Sequence, residues 1–205
     1  MNNTNLSRLE RLWLWFFPRR CVWCGGVTEP GTMLCTACEP EAAPQRLADA
    51  LLPGTRIPLV SVFSYHSKAK GIFLRLKFSG MRKAAPHIGY AMGDALKRSL
   101  DKPAQWVLCP VPMTTKQIEA RGYNQSALLA KRRETRTQHS LPAAQREENV
   151  SGAYAAAGKI KGRRIVLCDD ICTTGATLRA CCGALREAGA KEIVCLTFLR
   201  TEIRH

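Results

Sequence analysis

Acidic residues are scarce in this chain of 205 residues, which has 16 aspartates and glutamates against 31 lysines and arginines. The formal net charge is +15, and because residues 1–50 hold equal numbers of each sign, the whole excess lies in residues 51–205. A positive field of this size favours anionic partners, either a polyphosphate metabolite or a nucleic-acid backbone. A solvated basic face without a partner is the alternative.

A long hydrophobic run is also missing. The most apolar stretch, Leu6 to Phe17, is 12 residues long and contains Arg8, Glu10 and Arg11, whereas a bilayer span needs about 20 residues. No small-residue cleavage site of a signal peptide follows it. We therefore expect a short amphipathic helix that docks on the protein's own surface, no stable membrane insertion, and a cytoplasmic location in which the ten cysteines stay reduced.

Two catalytic or nucleotide-binding patterns are absent. No Gly-Lys-Ser or Gly-Lys-Thr occurs, which excludes a P-loop. The four histidines form no constellation with the cysteines, so a Cys/His nucleophile pair is not supported.

The cysteines that are present form two C-x2-C pairs near the N-terminus. Cys21 and Cys24 are followed, after ten residues that include Gly25, Gly26, Pro30 and Gly31, by Cys35 and Cys38. Two such pairs can surround one zinc ion with a tetrahedron of sulfurs, and four cysteine ligands leave no open position for water. We predict a structural zinc site in an N-terminal unit over residues 1–50, which comprises the amphipathic helix, the four-cysteine module and the first part of a linker read over Glu39–Arg56.

From residue 57 onward, short apolar strands alternate with amphipathic helices, which predicts a mostly parallel sheet flanked by helices. The α/β domain is assigned to residues 51–205. The predicted strands are Leu59–Tyr65, Val107–Val111, Arg164–Cys168 and Glu192–Phe198, and the predicted helices are Lys68–Phe78, Pro86–Leu100, Asn124–Lys131 and Ala176–Ala188.

The strand at Arg164–Cys168 is followed by an acidic pair and a loop of small and hydroxylated residues. Ligands of parallel sheets bind beyond the carboxyl ends of the strands. Small residues allow the backbone to approach a phosphate, whose oxygens can accept hydrogen bonds from loop amides and threonine hydroxyls. Because adjacent carboxylates repel phosphate, ribose hydroxyls are their natural partners. The predicted sugar-phosphate site comprises Asp169, Asp170, Thr173, Thr174, Gly175, Ala176 and Thr177.

This stretch resembles the 13-residue signature of type I phosphoribosyltransferases. The resemblance implies that the acidic pair contacts the ribose 2- and 3-hydroxyls of phosphoribosyl pyrophosphate (PRPP), and that the loop holds its 5-phosphate. It also implies Mg²⁺ bound with PRPP. Candidates for the pyrophosphate side of the site are Val111, Pro112, Met113, Lys77 and Arg121.

Taken with the cysteine pairs and the segments Leu76–Gly80, Pro110–Pro112, Arg121–Gln125 and Arg146–Val150, the chain resembles the ComF/GntX family. This family has a type I phosphoribosyltransferase-like domain and an N-terminal zinc knuckle. The resemblance implies a role in handling incoming single-stranded DNA during natural transformation. One departure concerns the stretch after Lys131, where the family continues the helix and adds another core strand, about fifteen residues that this chain lacks.

Three functions remain open at this point. The protein is an active phosphoribosyltransferase, or a protein that binds PRPP or nucleic acid without turnover, or a zinc-stabilised adaptor for a DNA-uptake helicase. Basic residues at Lys131–Arg133 and Arg136 could track a nucleic-acid backbone or cover PRPP. However, residues 124–153 contain no phenylalanine, tryptophan or tyrosine that could stack on bases. Cys172 lies inside the predicted phosphate loop, where amide dipoles could lower the pKa of its thiol.

Overall fold

A five-stranded sheet forms the centre of the molecule. The computed structural model describes residues 20–21, 23–29, 32, 34–39, 47–65, 69–78, 85–112, 129–131, 145, 149–150 and 152–201. The sheet strands are β1 (Leu47–Leu51), β2 (Pro58–Ser64), β3 (Trp106–Pro110), β6 (Arg164–Cys172) and β7 (Glu192–Arg200), and a separate pair is formed by β4 (Leu129–Lys131) and β5 (Tyr154–Ala156). The helices are α1 (Ala69–Phe78), α2 (Ala85–Ser99) and α3 (Ala176–Glu187), with a short 3-10 turn at Pro103–Gln105.

The sheet order is β1-β2-β7-β6-β3, and all strands except β1 run parallel. Central strand β7 is buried from Ile193 to Leu199, as expected for a parallel strand that is covered on both faces. Inside the sheet, the hydroxyls of Ser61 and Thr197 lie 2.8 Å apart and satisfy each other. The carboxyl ends of the parallel strands lie side by side, and the predicted ligand site lies at these ends.

Two clusters of buried residues pack against the sheet. Helix α3 contributes Leu178, Cys181 and Leu185 to one cluster with Ile165 and Leu167 of β6. A second cluster joins buried residues of the two remaining helices and of the cysteine module to Val62, Phe63 and Phe198 of the sheet. A mostly parallel sheet flanked by helices is therefore confirmed as the architecture of this chain.

Two secondary-structure predictions were wrong. The linker assigned to Glu39–Arg56 contains β1, which pairs with β2 in antiparallel register from Leu47↔Ser61 to Leu51↔Pro58. Strand pairing overrode a composition rich in proline and glycine. Residues Leu129–Lys131, assigned to a helix, form β4 and pair with β5. The rest of that predicted helix, residues 124–128, lies outside the described part of the chain, as does the amphipathic segment Leu6 to Phe17.

Strand β3 lies at one edge of the described sheet. Among the described residues no strand pairs with β3 on the side away from β6, and β4 joins β5 instead of the main sheet. Leu108 in the middle of β3 is 61% exposed, which agrees with an edge position. The additional core strand expected from the family is thus not present at this edge of the described sheet.

Candidate sugar-phosphate and metal sites

Strand β6 extends further than predicted, and this extension carries the acidic pair. Its pairing with β3 ends at Pro110↔Cys168, whereas its pairing with β7 continues to Cys172↔Arg200. Asp169 and Asp170 therefore lie in a part of β6 that projects beyond β3 on one side and stays bonded to β7 on the other. The backbone amide of Asp170 donates to the Asp169 carboxylate at 2.8 Å. The projection puts both carboxylates at the carboxyl edge of the sheet, on a rigid strand.

Gly175 makes the turn from β6 into α3. Its φ of 78° is left-handed, a conformation that glycine adopts without strain. A Cβ at this position would lie 2.9 Å from Leu52 Cδ1 and 3.2 Å from Pro53 Cδ. Arg179 holds the same two segments together, because its guanidinium donates to the carbonyl oxygens of Pro53 at 2.7 Å and Thr174 at 2.9 Å. The candidate phosphate loop is therefore fixed by the turn that follows β1.

Replacing Gly175 by alanine should lower the free energy of unfolding by about 1–3 kcal/mol, because a side chain forces a strained backbone and meets Leu52. Urea denaturation measures this change. Gly183→Ala is the matched control, since Gly183 lies within α3 and has open space at its Cβ position. That control should gain about 1 kcal/mol from helix propensity. Equal stability changes in the two variants would contradict the role given to Gly175.

The threonines of the loop are also placed at this edge. Thr174 accepts a hydrogen bond from the amide of Ala176 through its hydroxyl at 3.4 Å, which closes the first turn of α3. Thr173 and Thr177 are half-buried on either side of the turn. All seven residues of the predicted sugar-phosphate site are thus brought together between the end of β6 and the start of α3.

The predicted pyrophosphate side is only partly described. The amide of Val111 donates to the carbonyl oxygen of Cys168 at 2.8 Å, which places the Val111-Pro112 segment beside the residue that precedes Asp169. Pro112 is buried. Lys77 lies in α1, but its side chain is outside the described part of the structure, as are residues Met113 and Arg121 entirely. Of the five pyrophosphate-side candidates, Val111 is therefore hydrogen-bonded to the residue that precedes the acidic pair, and Pro112 follows it in the chain.

The prediction for Cys172 was wrong in sign. Cys172 is the last residue of β6 and is 1% exposed. Burial, reinforced by the nearby charge of Asp169, raises the pKa of its thiol to about 11 despite the opposing effect of Arg200 and Arg179. The alternation of a β-strand points this side chain into the core rather than toward the loop amides. At neutral pH the thiol is protonated and inert.

The four N-terminal cysteines converge on one point. Their sulfur atoms all lie within 4.8 Å of one another, and the sulfurs of Cys24 and Cys35 are 3.8 Å apart. A tetrahedral Zn²⁺ site with Zn–S bonds of about 2.3 Å requires sulfurs about 3.8 Å apart. The arrangement of Cys21, Cys24, Cys35 and Cys38 therefore fits zinc, and the four thiolates would fill its coordination shell.

Backbone hydrogen bonds organise this cluster. The Cys21 sulfur accepts from the amides of Trp23 at 3.3 Å and Cys35 at 3.4 Å. Burial raises the pKa of the Cys21 thiol, but amide hydrogen bonds outweigh burial and lower the pKa to about 6. Amides directed at sulfur are typical support for a thiolate ligand. Trp23, 2% exposed, joins the cluster to the sheet through an edge-to-face contact of 5.2 Å with Phe63.

Comparisons with known proteins agree with this structure. The profile of the phosphoribosyl transferase domain family matches residues 115–204. Competence protein ComFC of Streptococcus pneumoniae is 27% identical over 154 residues, covering 68% of this chain and 67% of that protein. Competence protein F of Haemophilus influenzae is 26% identical over 221 residues, covering 87% and 95% of the two chains. Over most of its length, this chain is similar to the ComF proteins.

One of these relatives has residues that this chain lacks. DNA utilization protein YhgH of Escherichia coli K12 is 26% identical over 204 residues that cover 88% of this chain and 90% of that protein. An alignment of 204 positions is longer than 88% of 205 residues, so that relative has residues without a counterpart here. Within the described residues, no helix is long and apolar enough to cross a membrane.

Some contributors to the sites were missed by sequence reasoning. Arg179 and the turn at Leu52–Pro53 brace the candidate phosphate loop. The arginine occupies an ordinary helix position, and Pro53 lies 122 residues before Gly175 in the sequence. No local pattern could have paired them. The packing of Trp23 on Phe63 was also missed, although a tryptophan between two zinc ligands was an available signal.

Proposed function

We propose that this protein belongs to the ComF family, that it binds PRPP together with Mg²⁺ at the carboxyl edge of its sheet, and that it carries one structural zinc. In this proposal it acts in the cytoplasm in the uptake or utilisation of single-stranded DNA. The main support is that the acidic pair, the Gly175 turn and the Val111-Pro112 segment lie together at the carboxyl ends of the strands. The names of its relatives, which refer to competence and DNA utilisation, support the biological setting.

The roles of the residues follow from their chemistry. The carboxylates of Asp169 and Asp170 accept hydrogen bonds from the ribose hydroxyls of PRPP. Amides at the start of α3 and the hydroxyls of Thr173, Thr174 and Thr177 donate to the 5-phosphate, which the positive end of the helix dipole also favours. Glycine at position 175 lets the backbone approach the phosphate. Val111, Pro112 and, beyond the described residues, Met113 and Arg121 would face the pyrophosphate, with Lys77 as a further cation.

Mg²⁺ prefers carboxylate and phosphate oxygens, which the acidic pair and PRPP itself would supply. When bound, it would neutralise pyrophosphate charge. Turnover would require an acceptor to attack C1 of the ribose while the C1–oxygen bond to pyrophosphate breaks. The protein's part in such a step would be positioning and charge stabilisation. We assign PRPP binding to the chain, with phosphoribosyl transfer to a base or other acceptor as the second candidate function.

Titration calorimetry with PRPP tests the proposal. We expect saturable binding that requires Mg²⁺. Without the cation, four or more negative phosphate oxygens of PRPP would lie close to the two carboxylates of Asp169 and Asp170. Isotope-labelled PRPP, offered with free bases and with single-stranded DNA, then reports transfer through release of pyrophosphate. Release would establish the transferase. An absence of PRPP binding would refute the proposal and leave the zinc-stabilised adaptor for a DNA-uptake helicase.

A further inference from the structure

A group of exposed cations lies at the amino ends of the parallel strands, opposite the candidate PRPP site. Because β3, β6 and β7 are parallel, the segments that precede them meet at the amino ends of these strands. We call the exposed side chains of these segments the amino-end basic surface; they are Lys102 before β3, Lys159, Lys161 and Arg163 before β6, and Lys191 before β7. Neighbouring strands lie about 4.8 Å apart, so the three segments span about 10 Å.

These segments are held together by backbone hydrogen bonds. The amide of Gly162 donates to the carbonyl oxygen of Gly189 at 2.8 Å, and the amide of Lys191 donates to that of Arg163 at 2.8 Å. A Cβ on Gly189 would lie 3.3 Å from Lys161 Cγ, which shows how closely the two segments approach. The cations therefore extend from fixed backbone positions, and little backbone ordering is needed when they bind a partner.

Positive charge exceeds negative charge on this surface. Acidic groups near it are Asp101, Glu187 and Glu192, all exposed. Glu192 forms an ion pair of 3.1 Å with Arg164, so part of this acidic charge is already neutralised. Five exposed cations and Arg164 face these three carboxylates. Such a surface attracts a polyanion.

An apolar strip borders the basic surface and indicates which polyanion fits. Trp106 and Leu108 point to the same side of edge strand β3, as alternate residues do. Leu108 is 61% exposed, and half-buried Trp106 is held in place because its indole N–H donates to the carbonyl oxygen of Asp101 at 3.3 Å. Arg164 lies over the indole, 5.9 Å from the ring centroid. Aromatic and apolar groups beside cations are typical of surfaces that bind unpaired bases.

We propose that the amino-end basic surface binds the phosphate backbone of a single-stranded nucleic acid, whose bases contact Trp106 and Leu108. The inference rests on the proposed function only for its biological setting, because it places nucleic acid at the edge opposite PRPP. Duplex nucleic acid does not present unpaired bases to the apolar strip. In this proposal the metabolite binds at the carboxyl ends of the β-strands, and the single-stranded nucleic acid binds at their amino ends.

Fluorescence anisotropy of a labelled oligo-dT across a range of salt concentrations tests this surface. The double variant Lys161→Ala/Arg163→Ala should bind about tenfold more weakly, with a log–log salt slope that is smaller by about 1.4, because each lost phosphate contact removes about 0.7. Both side chains are exposed, so the fold should persist. Arg20→Ala/Lys70→Ala removes the same charge elsewhere and should leave the slope unchanged.

Trp106→Leu separates base contact from charge attraction. It should weaken oligo-dT binding about tenfold but leave competition by inorganic polyphosphate unchanged. Oligo-rU in place of oligo-dT shows whether DNA or RNA is the better source of the strand. Equal slopes for the patch double variant and its control would overturn the location while nucleic-acid binding stands. Preference for duplex over single strands would also overturn the inference, and neither result would affect PRPP binding, which calorimetry measures separately.

Discussion

Removal of zinc is expected to unfold the cysteine module and to expose part of the main core. Cys21, Trp23 and Cys38 are buried in the same cluster as Phe63 and Phe198 of the sheet. Trp23 contacts Phe63 edge to face at 5.2 Å, and Phe63 contacts Phe198 in the same way at 5.4 Å. Metal binding supplies about 10–16 kcal/mol in small zinc modules. Without it, the module would keep few interactions that could hold Trp23 in place.

The measurement is thermal unfolding combined with metal analysis. Wild-type protein should contain one zinc per chain, and a strong chelator should lower the melting temperature by more than about 10 °C, since a loss of several kcal/mol shifts a domain of this size by a few degrees per kcal/mol. Cys38→Ser should lose the metal and show the same shift. Cys168→Ser is the matched control, because Cys168 lies in β6 and outside the cluster. Full stability of the metal-free protein would contradict the structural role.

The second large effect is expected at the acidic pair. Asp169→Asn/Asp170→Asn should weaken PRPP binding by at least about 100-fold, because each hydrogen bond to a charged group contributes about 1.5–3 kcal/mol. The fold should survive the change. An asparagine at position 169 retains the oxygen that accepts the amide of Asp170 at 2.8 Å in the present structure. Calorimetry with PRPP and Mg²⁺ gives the affinity, and urea denaturation confirms folding.

Glu187→Gln/Glu192→Gln is the charge-matched control for this experiment. It also converts two carboxylates into amides, but at the end of α3 and the start of β7, away from the projecting end of β6. This control should bind PRPP as the wild type does. If the Asp169/Asp170 double variant keeps wild-type affinity, the ribose contact is wrong, even if PRPP binds elsewhere on the protein.

The sequence was most informative where local patterns carry the information. The spacing of Cys21, Cys24, Cys35 and Cys38 identified a metal cluster, which the sulfur positions bear out. Apolar strand patterns located β2, β3, β6 and β7 to within a few residues at each end. Strand β6 was predicted too short, because Asp169 and Asp170 are poor strand formers whose place in the sheet is imposed by pairing with β7.

Local composition misled at β1 and β4. Prolines around residues 40–53 indicated a linker, but pairing with β2 stabilises Leu47–Leu51 as a strand. Leu129–Lys131 has good helix formers, yet it pairs with Tyr154–Ala156. In both cases the strand is stabilised by pairing with a later strand of the chain. The residues within the segment itself do not indicate that pairing.

The sequence by itself therefore determined the α/β class, the four-cysteine cluster and the identity of the residues at the end of β6. These depend on spacing and on contacts within a few residues. Only the tertiary structure decided that Arg179 joins the phosphate loop to Pro53, that Cys172 is buried with a raised pKa, and that the cations before β6 and β7 form one surface. These features arise from contacts between distant segments, which the pairing order of the sheet creates and a linear pattern does not encode.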